Sequence, residues 1–141
     1  MKYPIILEQP PSEENALSLL QQLGHHNQSL NSLYENAAPY GFFIKNENQI
    51  LGGVVGKLWI GAIWIDRLFV QKNIQGKGYG KKLLEKVEEL GRLHNAFFVV
   101  LENLSFQNSL SFYLHHGYTT FFKEEGYAHD TIMYHLRKPL S

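Results

Sequence analysis

The sequence predicts one domain of the α/β class, in which a mixed sheet carries helices on both faces. Apolar runs of strand length alternate with segments whose apolar residues recur at helical spacing, and a glycine-rich turn leads from one such strand directly into a helix. A polar turn between two earlier runs is typical of a β-hairpin. The 141 residues contain no repeat or low-complexity tract, so we expect a single domain over residues 1–141.

Composition excludes several classes of function. Thirteen basic and thirteen acidic residues cancel, so no overall field attracts the chain to nucleic acid or to a membrane. The absence of cysteine rules out disulfides, thiolate metal ligands and a cysteine nucleophile. No stretch approaches the ~20 apolar residues of a membrane span, and no signal peptide is evident. We expect a cytoplasmic protein without nucleic-acid or membrane partners, and a homodimer is compatible with the sequence.

The N-terminal region has helical character. Ser12 is the predicted N-cap, with Glu13 and Glu14 in the first turn, and Gly24 is the predicted C-cap. The polar residues 25–38 then predict a short second helix or an ordered loop.

Two strands joined by a tight turn follow. Residues 40–45 and 49–60 have strand character, and Asn46-Glu47-Asn48 between them has turn character. The second strand contains Gly52, Gly53 and Gly56, which indicate a bulge or a close approach of two backbones.

Helices and strands alternate in the rest of the chain. Residues 62–70 form the third predicted strand, and residues 96–101 are a continuous apolar run, as in a strand buried on both faces. A helix after Ser105 runs to about His116 and is closed by Gly117, and strands follow at 118–123 and 132–137. The helix after the glycine turn has an apolar stripe formed by Leu83, Leu84, Val87 and Leu90.

The glycine turn has the properties of a phosphate-binding loop. Gly76, Gly78 and Gly80 remove Cβ atoms and permit dihedral angles that point several amides into one concavity. The helix that follows adds its first-turn amides and the positive end of its dipole, and Lys77 and Lys81 add charge. The spacing is neither that of a P-loop nor that of a Rossmann dinucleotide-binding turn.

Two segments carry a resemblance to a known family. Residues 75–80 (Gln-Gly-Lys-Gly-Tyr-Gly), preceded by Leu-Phe-Val, resemble the acetyl-CoA-binding signature Gln/Arg-x-x-Gly-x-Gly/Ala of the GNAT superfamily of N-acetyltransferases. Residues 112–118 are similar to its Phe/Leu-Tyr-x-x-x-Gly-Phe/Tyr segment, and the stretch around Phe106 resembles a bacterial subgroup. The resemblance implies a mostly antiparallel central sheet splayed between two adjacent strands, with acetyl-CoA as co-substrate. We expect no metal, because the adjacent histidines of the pairs 25–26 and 115–116 diverge too far to chelate one ion.

The resemblance also assigns cofactor contacts. It implies that backbone groups of Leu68, Phe69 and Val70 pair with the pantetheine arm like an added strand, with one amide polarising the thioester carbonyl. Asn108 is assigned to the pantetheine amides, with Asn103 as the alternative. Backbone amides for the pyrophosphate would come from Gln75, Gly76, Lys77, Gly78, Tyr79, Gly80 and Lys81. Gln75 stands where the family more often has arginine.

Acyl transfer to an amine requires a proton acceptor. A free alkyl amine has a pKa near ~10.4, so a proton must leave before the nitrogen attacks. Asp66 on the third strand and Glu102 at the end of the next strand are candidate bases, and water is a third. Each carboxylate is also compatible with a structural role, in an ion pair or a helix cap. The resemblance implies that Tyr113 contacts the cofactor sulfur and protonates the departing thiolate.

The acceptor is the part of the reaction that the sequence defines least. Glu102, Glu124 and Glu125 favour a cationic amine among aromatic side chains. We predict an N-acetyltransferase that acts on a primary amine of a small molecule or peptide by direct attack in a ternary complex. A catalytically silent acyl-CoA-binding sensor is the alternative, and neutral net charge disfavours a nucleic-acid binder. The candidate acceptor contacts are Tyr34, Trp59, Trp64, Tyr127 and His129.

Overall fold

The computed structural model describes residues 2–141 and divides the chain into two compact units. The first unit ends at Asn36, and the second runs from Ala37 to Ser141. The single domain expected over residues 1–141 stays a prediction. No helix within residues 2–141 has both the length and the apolarity needed to cross a membrane.

The first unit contains one long helix, α1 (Glu13–Leu30). The predicted N-cap is confirmed, since the Asn15 amide donates to Ser12 Oγ over 3.1 Å. The predicted C-cap at Gly24 is wrong, as is a separate second helix, because α1 continues to Leu30. Gly24 is buried within α1, and a Cβ there would lie 2.6 Å from Asn36 Oδ1. The glycine therefore permits close packing and does not end the helix.

The second unit is a six-stranded sheet with two helices. Its elements are β1 (Ala38–Asn46), β2 (Gln49–Trp59), β3 (Ala62–Val70), α2 (Tyr79–Leu93), β4 (Phe98–Leu104), α3 (Leu110–His115), β5 (Thr119–Glu124) and β6 (Met133–Pro139). The strands lie in the order β1-β2-β3-β4-β6-β5. All neighbours are antiparallel except β3 and β4, which are parallel. This arrangement confirms the predicted mixed, mostly antiparallel sheet.

Element bounds agree with expectation at β3 and differ most at α3. The third strand has the predicted residues, whereas β4 begins and ends later than predicted, at Phe98 and Leu104. The helix expected after Ser105 begins only at Leu110, because residues 105–107 form a 3-10 turn and Asn108 is left-handed, with φ 55°. Gly117, with φ 92°, follows the last turn of α3 as predicted.

The core lies between the sheet and α2. The predicted stripe is confirmed, since Leu83, Leu84 and Val87 are buried and Leu90 is half-buried. Each fully buried aliphatic side chain of this kind stabilises the fold by about 1.5–3 kcal/mol relative to exposure. The partners on the sheet include Val54, Ile63, Ile65, Val99, Leu101 and Leu136.

A bulge in β3 changes which side chains face the core. Val55 pairs with Arg67 and Gly56 pairs with Ile65, so Asp66 is an extra residue on β3. A Cβ on Gly56 would collide with the Trp64 carbonyl oxygen, which explains the glycine and confirms the predicted close approach. Because side chains alternate along a strand, the extra residue turns Val70 into the core and leaves Phe69 exposed.

The parallel pair β3 and β4 separates along its length. Four residue pairs join the strands, and the last pair is Ile65 with Leu101. Beyond it, within the described chain, residues 67–70 pair only with β2, Asp66 is the extra residue of the bulge, and residues 102–104 pair only with β6. The facing edges are therefore left without a ladder, and this confirms the predicted splay. We call the opening between residues 66–70 and 102–104 the wedge.

Candidate functional site

The wedge separates two sets of side chains that lie on opposite faces of the sheet. Ile65 and Leu101 point to the core, on the face that α2 covers, which we call the helix face. Trp64 and Val100, which pair with each other, lie on the other face of the sheet. Because side chains alternate along a strand, Glu102, two residues after Val100, lies on that face too. We call this the second face.

Both candidate bases lie on the second face. Asp66 accepts a hydrogen bond from Lys57 Nζ over 3.0 Å, and the same ammonium lies 5.2 Å from the centre of the Trp64 ring. Glu102 lies one residue past the last β3–β4 pair, and its side chain is 58% exposed. Its Oε1 is 3.7 Å from His135 Nδ1, and no Lys or Arg pairs with it within residues 2–141. Asp66 is therefore engaged by a cation, and Glu102 is not.

The glycine loop lies where β3 leads into α2, and the space above it is open. Gly76 and Gly78 have φ of 76° and 89°, in the left-handed region that favours glycine. A Cβ on either residue would meet no atom within 4 Å. Gly80 differs, because its Cβ would lie 3.1 Å from the Phe112 ring. The first two glycines therefore leave room for a ligand, while the third lets α2 pack on α3.

Unpaired amides line this loop. Within the described chain, the amides of residues 76–81 donate to no backbone carbonyl outside α2, and a helix leaves its first amides without an acceptor. The Gln75 amide is an exception, since it donates to the Lys72 carbonyl over 3.3 Å. The Gln75 side chain donates from Nε2 to the Val70 carbonyl over 2.8 Å. The loop is thus tied to the end of β3, beside the wedge.

Tyr113 lies on the helix face in the core cluster. It is 6% exposed, and burial raises the pKa of its phenol to about 12. Within the described chain its hydroxyl has no hydrogen-bond partner. A phenol in this state keeps its proton at neutral pH and can donate it to an acceptor that enters the site.

The two asparagines of the β4–α3 connection have different environments. Asn108 is exposed and left-handed, at the position assigned to pantetheine. Asn103 is buried, donates from Nδ2 to Ser109 Oγ over 2.6 Å, and leaves its Oδ1 without a partner. Asn103 is therefore bonded to the residue that precedes α3.

The aromatic acceptor candidates are distributed over several elements. Trp59 and Trp64 lie at the β2–β3 end of the sheet, with ring centres 6.0 Å apart. Tyr127 and His129 belong to the β5–β6 connection, where His129 is left-handed with φ 58°. Tyr34 belongs to the first unit. The structure brings the two tryptophans together, and Lys57 already occupies one face of Trp64.

The family follows from a comparison with known protein families. Residues 38–120, more than half of the chain, match the model of the acetyltransferase (GNAT) domain. The chain belongs to the GNAT acetyltransferases. It is therefore an acyltransferase by class, and acetyl-CoA is the co-substrate of that class. The sequence resemblance drawn from the glycine loop and the segment around Tyr113 is confirmed.

Individual relatives agree with the family. A 47-residue segment is 38% identical to a probable spermine N(1)-acetyltransferase of Bacillus subtilis subsp. natto, strain BEST195. That match spans 30% of this chain and only 31% of the curated relative. The name of that relative therefore describes that protein alone.

Solved structures show the same fold. An acetyltransferase from Bacillus cereus ATCC 14579 is 24% identical with a TM-score of 0.78, over 99% of this chain and 100% of that one. A protein from Agrobacterium tumefaciens described as an acetyltransferase is 21% identical with a TM-score of 0.86, over 97% and 99%. A Bacillus anthracis protein described as a streptothricin acetyltransferase, solved with acetyl coenzyme A, is 21% identical with a TM-score of 0.64, over 77% and 65%.

One polar residue of the site was not singled out from the sequence. His135 on β6 pairs with Glu102 in the register, and its Nε2 lies 3.1 Å from Glu124 Oε1. Three side chains from β4, β5 and β6 thus meet on the second face, next to the wedge. In the sequence, the alternation of side chains along β6 indicates which face His135 lies on. It does not indicate that Glu102 and Glu124 are its neighbours on the adjacent strands.

Proposed function

We propose that this GNAT protein transfers the acetyl group of acetyl-CoA to a primary amine by direct attack in a ternary complex. The observation that carries the proposal is the wedge, which ends at a loop of open amides and has an acid on one face and a carboxylate on the other. An amine that approaches from the second face meets the carbonyl carbon, while the sulfur departs towards the helix face.

The wedge and the loop supply complementary contacts for the co-substrate. The edge of β3 beyond Ile65 has unpaired backbone groups, and Leu68, Phe69 and Val70 can pair with the pantetheine amides as an added strand. The loop amides from Gly76 to Lys81 suit the pyrophosphate. We assign Gln75 to holding the loop, since its amide and side chain already donate within the protein. Asn108 remains our assignment to the pantetheine amides.

The two faces divide the proton transfers. We assign Tyr113 as the acid, because the hydroxyl of this buried residue is protonated and has no partner in the described chain. We assign Glu102 as the base in preference to Asp66, since Lys57 engages Asp66. Two protons leave the nitrogen in each turnover and one reaches the sulfur, so one net proton is released to solvent. Tyr113 regains its proton from solvent.

The charges of the second face favour a cationic acceptor. A hydrogen bond from His135 lowers the pKa of Glu124, so this carboxylate is ionised at neutral pH. Glu102 adds a second negative charge, whereas Glu125 is paired with Lys123 over 3.2 Å. Because Lys57 occupies Trp64, the positive end of the acceptor is expected nearer Glu124 and Tyr127 than the tryptophans. The name of the Bacillus relative makes polyamines the first acceptors to test.

A panel of amines with thiol release as the readout tests this function. Polyamines, amino acids and peptides with a free amine are incubated with acetyl-CoA, and a permethylated polyamine, whose tertiary amines cannot form a stable amide, serves as the matched control. We expect thiol release with a polyamine and none with the permethylated analogue. Acetyl-CoA binding without thiol release for any amine would instead establish the catalytically silent sensor.

The phosphate-binding role of the loop is tested by two matched glycine variants. Gly78 and Gly126 both have positive φ and open space above them, so leucine introduces similar backbone strain at each position. Gly78→Leu is expected to lower acetyl-CoA affinity at least tenfold, because the side chain covers the amides, while Gly126→Leu leaves affinity within about twofold. Calorimetric titration of the folded variants gives both values. Equal affinities would remove the loop from the cofactor site.

A further inference from the structure

We propose that His135, oriented by Glu124, receives the proton that Glu102 takes from the amine and passes it to solvent. This inference rests on the proposed function, because it assigns a second proton acceptor to the same reaction. His135 acts through Glu102 and is therefore a positioning and relay residue, separate from the groups that touch the reacting atoms.

The contacts of His135 define which nitrogen is free. Glu124 is ionised and can only accept a hydrogen bond, so the ring nitrogen 3.1 Å from it, Nε2, carries the hydrogen. In the neutral imidazole the other nitrogen, Nδ1, then has a lone pair. That nitrogen faces Glu102 Oε1 at 3.7 Å. The exposed Glu102 side chain closes this gap by a small rotation, as catalytic hydrogen bonds often do on substrate binding.

A bulge in β5 determines which side chains surround the imidazole ring of His135. Thr120 pairs with Leu136 and Phe122 with His135, so Phe121 is an extra residue. The Phe121 and Phe122 rings lie 6.1 and 5.4 Å from the imidazole, and the His135 side chain is 19% exposed. The bulge also places Glu124 beside Nε2. The charged groups that face the ring are therefore Glu102 from β4 and Glu124 from β5, with Tyr127 bonded to Glu124.

The stoichiometry of the reaction supplies the reason for a relay. Glu102 takes a proton from the ammonium as an N–H bond breaks and an O–H bond forms, and a second proton leaves the nitrogen after attack. Glu102 must therefore lose the first proton before it can accept the second. Transfer to Nδ1 breaks the O–H bond and forms an N–H bond, and Glu124 stabilises the imidazolium until its proton passes to water. Within residues 2–141 no group of acidic and histidine side chains is arranged to hold a metal ion.

A first experiment observes the imidazole without any turnover. Side-chain nitrogen NMR of the labelled protein at about pH 8, above the ordinary histidine range, identifies the tautomer, and loss of the signal in His135→Gln assigns it. We expect a single form with the hydrogen on Nε2, and admixture of the Nδ1–H form in Glu124→Ala. A mixture in the parent protein, or no response to Glu124→Ala, overturns the orientation of His135.

A second experiment uses the amine that the panel identifies. His135→Gln is expected to lower kcat about tenfold with the acetyl-CoA KM within twofold, and His94→Gln, at the exposed end of α2, is the control. If the two residues act as one unit, the double variant with Glu102→Gln loses no more than the larger single loss. Added imidazole is expected to restore part of the rate of His135→Ala.

The outcomes separate the two proposals. Multiplied losses in the double variant, or absence of rescue by imidazole, overturn the relay while the parent enzyme still acetylates its amine. Absence of turnover in the parent with every amine overturns the proposed function and the relay with it.

Discussion

Tyr113 and Tyr118 are two buried tyrosines whose hydroxyls have different surroundings. Their ring centres lie 5.9 Å apart in an edge-to-face contact, and they are 6% and 1% exposed. Tyr118 donates to Glu88 Oε2 over 3.1 Å, and Glu88 also accepts from Lys138 Nζ over 2.8 Å. The Tyr113 hydroxyl has no partner in the described residues. Burial is therefore common to both, and the hydrogen bond of Tyr118 distinguishes this structural phenol from the phenol that we propose as the acid.

The same contrast holds for the two carboxylates. Glu88 is 7% exposed and saturated by Lys138 and Tyr118, so it contributes to packing between α2, β6 and the start of β5. Glu102 is mostly exposed, and its ion-pair contact among the described residues is the long one to His135. A saturated carboxylate stabilises the fold, whereas one with free lone pairs beside an opening is able to accept a proton.

The largest effect is expected from Tyr113→Phe. Loss of this unpartnered phenol is expected to lower kcat about 100-fold, equivalent to about 2.7 kcal/mol, with little change in the acetyl-CoA KM. Steady-state kinetics with the identified amine gives both parameters. A variant that turns over at the parental rate would remove Tyr113 as the acid.

The pKa of Tyr113 supplies a control for this variant. Because burial raises the pKa from 10.0 to about 12, the phenol stays protonated further into alkali than in the unfolded chain. The stability that the protonated phenol contributes to the folded state is therefore complete below pH 10 and is lost as the pH rises through about 12. Chemical denaturation at several pH values between 10 and 12 is expected to show that the free energy of unfolding falls less with pH in Tyr113→Phe than in the parent.

The next effect concerns the saturated carboxylate. Glu88→Gln leaves the partly buried Lys138 without its counter-ion and is expected to lower the free energy of unfolding by roughly 2 kcal/mol. Urea denaturation measures the loss. The kcat of the folded variant is expected to stay within twofold of the parent, and a large loss of kcat at unchanged stability would contradict a structural role.

A smaller effect distinguishes the two candidate bases. Glu102→Gln is expected to lower kcat/KM about tenfold and to abolish its rise with pH, whereas Asp66→Asn, which disturbs only the pairing with Lys57, has a weaker effect and keeps the rise. Complete pH profiles of both variants decide the assignment. Profiles like the parental one in both would leave water as the base.

The smallest effect is expected from Tyr118→Phe. Removal of one hydroxyl leaves Glu88 with Lys138 still bound, and the expected loss is about 1 kcal/mol of unfolding free energy. Activity is expected to be unaffected. Together with Tyr113→Phe this forms a matched pair, and a greater loss of kcat in Tyr118→Phe would reverse the comparison.

The sequence predicted the parts of the site that are local in the chain. The bounds of β3, the open glycine loop and the tyrosine of α3 follow from contiguous motifs, and the splay followed from the family resemblance that these motifs carry. The predicted C-cap at Gly24 was wrong because a glycine that ends a helix and a glycine that permits close packing look alike in sequence. The contact of His135 with Glu102 and Glu124 was not predictable, because it depends on the register of three strands and on a bulge at Phe121.

The hydrogen bond from Gln75 to the Val70 carbonyl has a consequence for ligand selection. It joins the end of β3 to the glycine loop, so it restricts the distance between the strand edge that we propose for pantetheine and the amides that we propose for the pyrophosphate. If both proposed contacts are made, we expect the fixed distance to select thioesters by length. A thioester whose arm is shorter than that of acetyl-CoA, or that lacks the diphosphate, would contact one of the two segments but not both.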